Sequence, residues 1–154
     1  MKDLKEFGIY HGEGRFHEEI IYSTALIYHI VSSRIEKYLK TYDLNIGKFN
    51  ILMAIKNNNK EEGISQVEIS KHLIVTPSNM TKMIDKLEKE KLVLRSAAKE
   101  DRRINMISIT ERGLSVLGEV WYGYDKCLKD EVKCLNKKEQ KLLSDLLIKW
   151  FKAI

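Results

Sequence analysis

The sequence predicts a mostly α-helical chain carrying one small β-hairpin. Three observations support this. Apolar residues recur at helical spacing over three long segments. Two short helices, each with its own capping signal, follow one another near the middle of the chain. Two runs rich in β-branched and aliphatic residues come directly after them. With 154 residues, 44% of them hydrophobic, the chain can build one ordinary globular unit with a core, whereas two full domains would be crowded.

Gly8, Gly12 and Gly14 interrupt the first sixteen residues, so that segment is read as an arm. From His17 to Tyr42, the residues Ile20, Ile27, Val31, Ile35, Tyr38 and Tyr42 recur at spacings of three, four and seven, which predicts a long helix with one apolar stripe. A second helix follows LNIGK, carries Phe49, Leu52, Met53 and Ile55, and stops at NNNKEEG, a run of turn-forming residues. Ser65 and Glu68 have capping-box spacing, which starts a short helix running from Ser65 to about Leu73. Thr76 then caps the next helix, and Pro77 suits its first position, where a missing N–H leaves no partner unsatisfied. Two short capped helices joined by a tight turn form a helix-turn-helix.

The second of these helices, 76–90, divides by face. At 100° per residue Met80, Met83, Ile84 and Leu87 share an arc of about 100°, while Ser78, Lys82, Lys86 and Lys89 lie opposite. Lysines at such spacing also describe an ordinary solvated face. Their position favours the functional reading, because Ser78, Asn79 and Thr81 occupy the outward N-terminal turns, the part of a recognition helix that reaches base edges in the major groove. Next come the strand segments Leu92 to Ala97 and Ile104 to Thr110, joined by AKEDRR. A basic hairpin tip directly after a helix-turn-helix is a wing (98–103). It would place Arg102 and Arg103 at the phosphate backbone or in a narrow minor groove, with Glu100 or Asp101 holding an arginine extended by a charge-assisted hydrogen bond. The plainer alternative is a surface turn whose charges cancel. The full set of DNA-contact candidates is Ser65, Gln66, Thr76, Ser78, Asn79, Thr81, Lys82, Lys86, Arg95, Asp101, Arg102 and Arg103.

Thr110 caps a further helix with Gly113 in its first turn. There Leu114, Leu117, Trp121, Tyr124, Leu128, Glu131 and Leu135 repeat in a three-four alternation with one acidic interruption. A final helix, Lys137 to Ile154, carries Leu142, Leu143, Leu146, Leu147, Trp150 and Phe151. Together with the first helix, these exceed what a winged lobe needs for its core. A large exposed apolar surface is unusual in a monomer, so the terminal helices are expected to pair with a second subunit. The chain therefore reads as 1–42, an arm and dimerisation helix; 43–112, a winged helix-turn-helix lobe; and 113–154, the C-terminal dimerisation helices.

Several function classes are disfavoured. Lysine and arginine outnumber the acids 27 to 22, with a pI near 9.1, a balance compatible with a polyanionic partner but not specific to one. No apolar run approaches the roughly 18 residues needed to cross a bilayer, and the N-terminus lacks the apolar core of a signal peptide, so a cytoplasmic protein is expected. Cys127 and Cys134, seven residues apart, read as packing residues on one helix face. His17 beside Glu18 and Glu19 lacks the spacing of a metal site. No phosphate-binding glycine loop, HExxH or nucleophile elbow is present; neither an enzyme nor a cofactor is expected.

The stretch VTPSNMTKMIDKLEKEKLVLR (75–95) followed by KEDRRINMISITERG (99–113) resembles the MarR family of bacterial transcriptional regulators, whose wing signature is D-x-R, a short strand, Ile-Thr and a glycine two residues after Glu111. The order of the flanking helices fits as well. The resemblance implies a roughly triangular homodimer that binds a pseudo-palindromic operator, with repression as the usual outcome. It places Ser78, Asn79, Thr81 and Lys82 at the major groove and Arg103 at the minor groove, with Asp101 orienting Arg103. It also implies a small aromatic or anionic effector that changes the spacing of the recognition helices; Tyr22, Tyr28 and Arg34 are the candidate lining residues. The rival reading is an architectural or protein-interaction winged helix without operator specificity. Two features depart from the pattern. Lys91 stands where relatives usually have glycine. The reactive cysteine that peroxide-responsive relatives carry near the start of the first long helix is absent.

Overall fold

The structure, a computed structural model, describes residues 4–10, 12, 14–58, 63–71, 73, 77–98, 101 and 104–154, apart from the side chains of Pro77 and Ser78. Helices α1 (Phe16–Leu39) and α2 (Ile46–Asn57) are followed by a two-residue strand β1 (Ile64–Ser65). Helices α3 (Gln66–Lys71) and α4 (Pro77–Lys89) come next, then strands β2 (Val93–Ala97) and β3 (Asn105–Ile109). Helices α5 (Glu111–Glu131) and α6 (Lys137–Phe151) close the chain. The three strands form an antiparallel sheet in the order β1-β3-β2, with Ile64 and Arg95 both paired to Ile107. The mostly α architecture with a β-hairpin is as the sequence predicts; β1 adds a strand that the sequence does not announce, because two residues carry no periodicity.

The helix boundaries follow local chemistry. Ser65 Oγ accepts from the Glu68 N–H at 3.1 Å and Glu68 Oε2 accepts from the Ser65 N–H at 3.1 Å, completing the expected capping box. Thr110 Oγ1 accepts from the Gly113 N–H at 3.0 Å and itself donates to the Lys91 carbonyl at 2.8 Å. One hydroxyl therefore starts α5 and ties it to the end of α4. The expected cap at Thr76 lies outside the described residues.

Three expectations need correction. Helix α1 ends at Leu39 rather than Tyr42: residues 40–42 tighten into a 3-10 turn, and Asp43 is left-handed at φ 55°. Helix α5 ends at Glu131, so Cys134 sits in the following turn and is exposed, while Cys127 is half-buried; the two do not share a helix face. The predicted α5 stripe also splits. Leu117 packs into the core with Val120, whereas Leu114, Trp121 and Leu128 are exposed on this chain.

The core sits between α2, the helix-turn-helix and the sheet. Ile51, Leu52, Ile69, Met80, Ile84, Leu87, Val93, Ile107 and Val120 are all completely buried. Each such side chain contributes about 1.5–3 kcal/mol of transfer free energy. The termini are organised differently. Helix α6 carries no buried residue, and Leu142, Leu146 and Phe151 are more than half exposed. With Ile20, Ile21 and Ile27 of α1, its Leu143, Leu147 and Trp150 border an apolar groove of about 600 Å³. None of the helices among the described residues is long and apolar enough to cross a membrane.

Candidate nucleic-acid interface

Helix α4 presents two chemically distinct faces. Met80, Ile84 and Leu87 are wholly buried, while Asn79, Thr81, Lys82, Lys86 and Lys89 are exposed. Asp85 and Glu88 share the outer surface of the helix and would offset the lysines, but Arg95 of β2 draws on both. Its Nη2 donates to Asp85 at 2.5 Å and its Nε lies 3.3 Å from the Glu88 carboxylate, too far out of line for a hydrogen bond. Among the described residues no ion pair forms on Lys82, Lys86 or Lys89, so that face, with three lysines and Arg95 against two carboxylates, keeps a net positive charge.

The sequence-predicted contacts fall into four groups. Asn79, Thr81, Lys82 and Lys86 are exposed on α4, with Asn79 and Thr81 on opposite flanks of the lysine row, and Gln66 Nε2 donates to Thr81 Oγ1 at 2.7 Å, linking α3 to α4. Ser65 and Arg95 are held by intramolecular partners, the first in the capping box and the second bracing the sheet against α4. At the hairpin, Ala98 N–H donates to the Ile104 carbonyl at 2.9 Å, Ile104 N–H donates to the Asp101 carbonyl at 2.9 Å, and Asp101 is half-buried. Thr76, Arg102 and Arg103 lie outside the described residues; Ser78 is on α4, but its side chain is not described.

Helix α4 ends in a Schellman arrangement. Leu92 N–H donates to the Leu87 carbonyl and Lys91 N–H to the Glu88 carbonyl, both at 2.9 Å, and Lys91 is left-handed at φ 59°. The lysine at the glycine position has taken up the strained conformation; the helix has not found another ending.

Sequence reasoning missed the joint behind the interface. Lys48, in the first turn of α2, is only 8% exposed, and its ammonium donates to both oxygens of Glu90, at 2.5 and 2.8 Å, and to the Asp43 carbonyl at 3.3 Å. Asn45 caps that turn by accepting from Lys48 N–H at 2.8 Å, and Glu36 of α1 accepts from Ile46 N–H at 2.9 Å. The signal available in the sequence was a lysine directly before Phe49 in the first turn of a largely apolar helix.

On the other side of the same turn, Ile46, Phe49 and Asn50 face Tyr28, Ser32 and Tyr124 across a cavity of about 230 Å³. Burial raises the Tyr124 phenol above the ordinary tyrosine range. Of the effector candidates, Tyr28 lines this cavity. Tyr22 and Arg34 do not; the Arg34 guanidinium donates to both Glu131 oxygens of α5, at 2.9 and 2.6 Å. No group of three metal-ligating side chains occurs among the described residues.

Residues 44–104, which span α2 to the hairpin, match the MarR family model. An HTH-type transcriptional regulator of Bacillus cereus (strain ATCC 10987) is 30% identical over 116 residues, 73% of this chain and 74% of that protein. The chain belongs to the MarR family. A MarR-like transcription regulator of solved structure, also from Bacillus cereus ATCC 10987, superposes with a TM-score of 0.81 at 26% identity, covering 92% of this chain and 99% of that one. The S. aureus MepR structure, solved as a complex with DNA, superposes at 0.78 with 21% identity over 86% and 96% of the two chains. The winged-helix architecture of this MarR-family chain is thus that of transcriptional regulators.

Proposed function

We propose that this protein is a sequence-specific transcriptional regulator and not an enzyme, acting in the cytoplasm as a homodimeric repressor on a pseudo-palindromic operator. The supporting observation is the exposed surface of α4, which carries Lys82, Lys86 and Lys89 with Asn79 and Thr81 on its two flanks and has a net positive charge. In this reading residues 43–112 form the DNA-binding lobe and α4 enters the major groove. Lys82 and Lys86 meet phosphates, Asn79 and Thr81 meet base edges, and Arg102 and Arg103 of the wing reach the minor groove with Asp101 orienting Arg103. The exposed apolar faces of α1 and α6 become the dimer interface, assigning 1–42 and 113–154 to dimerisation. Dimerisation would set the two recognition helices about 34 Å apart, one turn of DNA. Repression is the outcome the family resemblance implies.

The cavity beside Tyr28 and Tyr124 is the effector site in this proposal. It exceeds the roughly 150 Å³ that suffices for benzene, and its mixture of tyrosine, serine and asparagine suits a single aromatic ring with a polar substituent. Arg34, expected beside it, is exposed, paired with Glu131 and not in the cavity lining.

The test uses two substitutions and two duplexes, one carrying the operator and one unrelated. Asn79→Ala should reduce the preference for operator by about 1–3 kcal/mol, whereas Arg103→Ala should weaken binding to both duplexes. Equal binding of every duplex by the wild type and both variants would overturn the residue assignments and favour a winged helix that serves architecture or protein interaction.

A further inference from the structure

We infer that Lys48 and Glu90 are positioning residues for DNA recognition: their ion pair fixes the C-terminal end of α4 to the first turn of α2 and so sets how the recognition helix stands out from the lobe. This rests on the operator reading above and assigns a role to residues outside its contact face. An ammonium group has three hydrogens to donate, and the Lys48 group meets Glu90 Oε1, Glu90 Oε2 and the Asp43 carbonyl. It is a buried, fully satisfied charge, so it neither serves solubility nor remains available to a phosphate. Glu90 gives the complementary signal. An acid at the C-terminal end of a helix has the wrong sign for the helix dipole, and on a DNA-binding lobe it also repels the ligand. Lys48 offsets both effects while holding the helix end in place.

Two further contacts make the joint close. A Cβ built on Gly47 would stand 2.5 Å from Met83 Sδ, so the Met83 side chain of α4 packs directly on the α2 backbone at this turn, and the turn is tied from behind by Glu36. Immediately beyond Glu90, the chain passes through left-handed Lys91 and buried Leu92 into Val93, the buried first residue of β2. The pair thus acts at the point where recognition helix, sheet and α2 meet. Movement there tilts the whole of α4, and its N-terminal turns, with Asn79 and Thr81, sweep the furthest.

The experiment exploits a conflict of sign. Glu90→Gln raises the protein's net positive charge by one, so electrostatics alone predicts tighter DNA binding, whereas positioning predicts weaker operator binding. The full-length wild type, Lys48→Met, Lys48→Arg and Glu90→Gln are compared for affinity to the selected operator, affinity to an unrelated duplex, melting temperature, and amide hydrogen exchange over 86–92. Lys48→Met and Glu90→Gln are expected to lose about tenfold or more in operator affinity, with faster exchange over 86–92. Glu90→Gln should bind the unrelated duplex no more weakly than wild type, and Lys48→Arg should retain most of the operator affinity. Operator binding by Glu90→Gln as tight as wild type would overturn the inference, and that variant decides the matter if Lys48→Met does not fold. If the wild type shows no operator preference, the operator reading fails by itself. Exchange over 86–92 then tests the joint independently, and unchanged exchange in both variants would reject it.

Discussion

Replacing Lys91 by glycine is expected to stabilise the protein, although it removes a side chain and adds chain freedom. Lys91 lies at φ 59°, fixed by the 2.9 Å bond from its own N–H to the Glu88 carbonyl, by the 2.9 Å bond from Leu92 N–H to Leu87, and by the Thr110 hydroxyl on its carbonyl. All of these bonds engage backbone groups of residue 91 or its neighbour, so they survive the substitution; the lysine side chain itself is exposed. The left-handed conformation costs an L-residue about 1–2 kcal/mol. Glycine removes that strain but loses about 0.5–1 kcal/mol through its larger unfolded-state entropy. The balance is a gain of about 0.5–1 kcal/mol, or about 1–4 °C in melting temperature for a chain of this size. Denaturant titration at fixed protein concentration, which holds any dimerisation constant, should rank Lys91→Gly above Lys91→Asn and both above wild type. Lys91→Ala should not join them, because alanine keeps the Cβ. A Lys91→Gly protein no more stable than wild type would refute the Schellman ending and with it the account of how α4 joins the sheet.

Other outcomes follow from the α1–α5 crossing. A Cβ on Gly123 would overlap the Tyr38 hydroxyl, which donates to the Val120 carbonyl at 2.9 Å. Gly123→Ala should therefore cost about 1–3 kcal/mol, and its loss should combine less than additively with that of Tyr38→Leu in a double-mutant cycle. Burial, and next the hydrogen bond with Tyr42, push the Tyr38 phenol up to about 12. An unfolded tyrosine ionises near about 10, so the stability this proton contributes is present below that pH and falls away as pH rises towards 12. Tyr38→Phe should show a flatter stability profile across that window. Ser32→Phe, which points a ring into the 230 Å³ cavity, should weaken operator binding with little loss of secondary structure if that cavity is the effector site; unchanged operator affinity would move the site elsewhere.

Much of this arrangement is legible in the residues alone because short-range chemistry dictates it. The Ser65–Glu68 box, the Thr110 cap and the Met80, Ile84 and Leu87 face are local patterns, and all appear where spacing predicts. The illegible parts depend on partners distant in sequence. Lys48 and Glu90 are 42 residues apart, and nothing near either one announces the other. Arg95 looks like a DNA contact when the hairpin is read alone; its engagement with Asp85 and Glu88 emerges only when β2 packs along α4. The end of α5 is hidden in the sequence because the heptad rhythm continues through Cys134 and Leu135 as far as Asn136. Asn136 is itself the cap of α6, accepting from Glu139 N–H at 3.1 Å while Glu139 accepts from the Asn136 N–H at 2.7 Å. The stripe on α5 mixes residues facing the core with residues exposed on the single chain, a division that periodicity cannot make.

The measurement that tests the central claim most directly is selection from a random pool of duplex DNA by the purified protein, at near-physiological salt so that phosphate attraction does not dominate. The account predicts enrichment of an inverted repeat whose half-sites lie about one helical turn apart. A pool that stays random, with weak and salt-sensitive binding to every duplex, would contradict it.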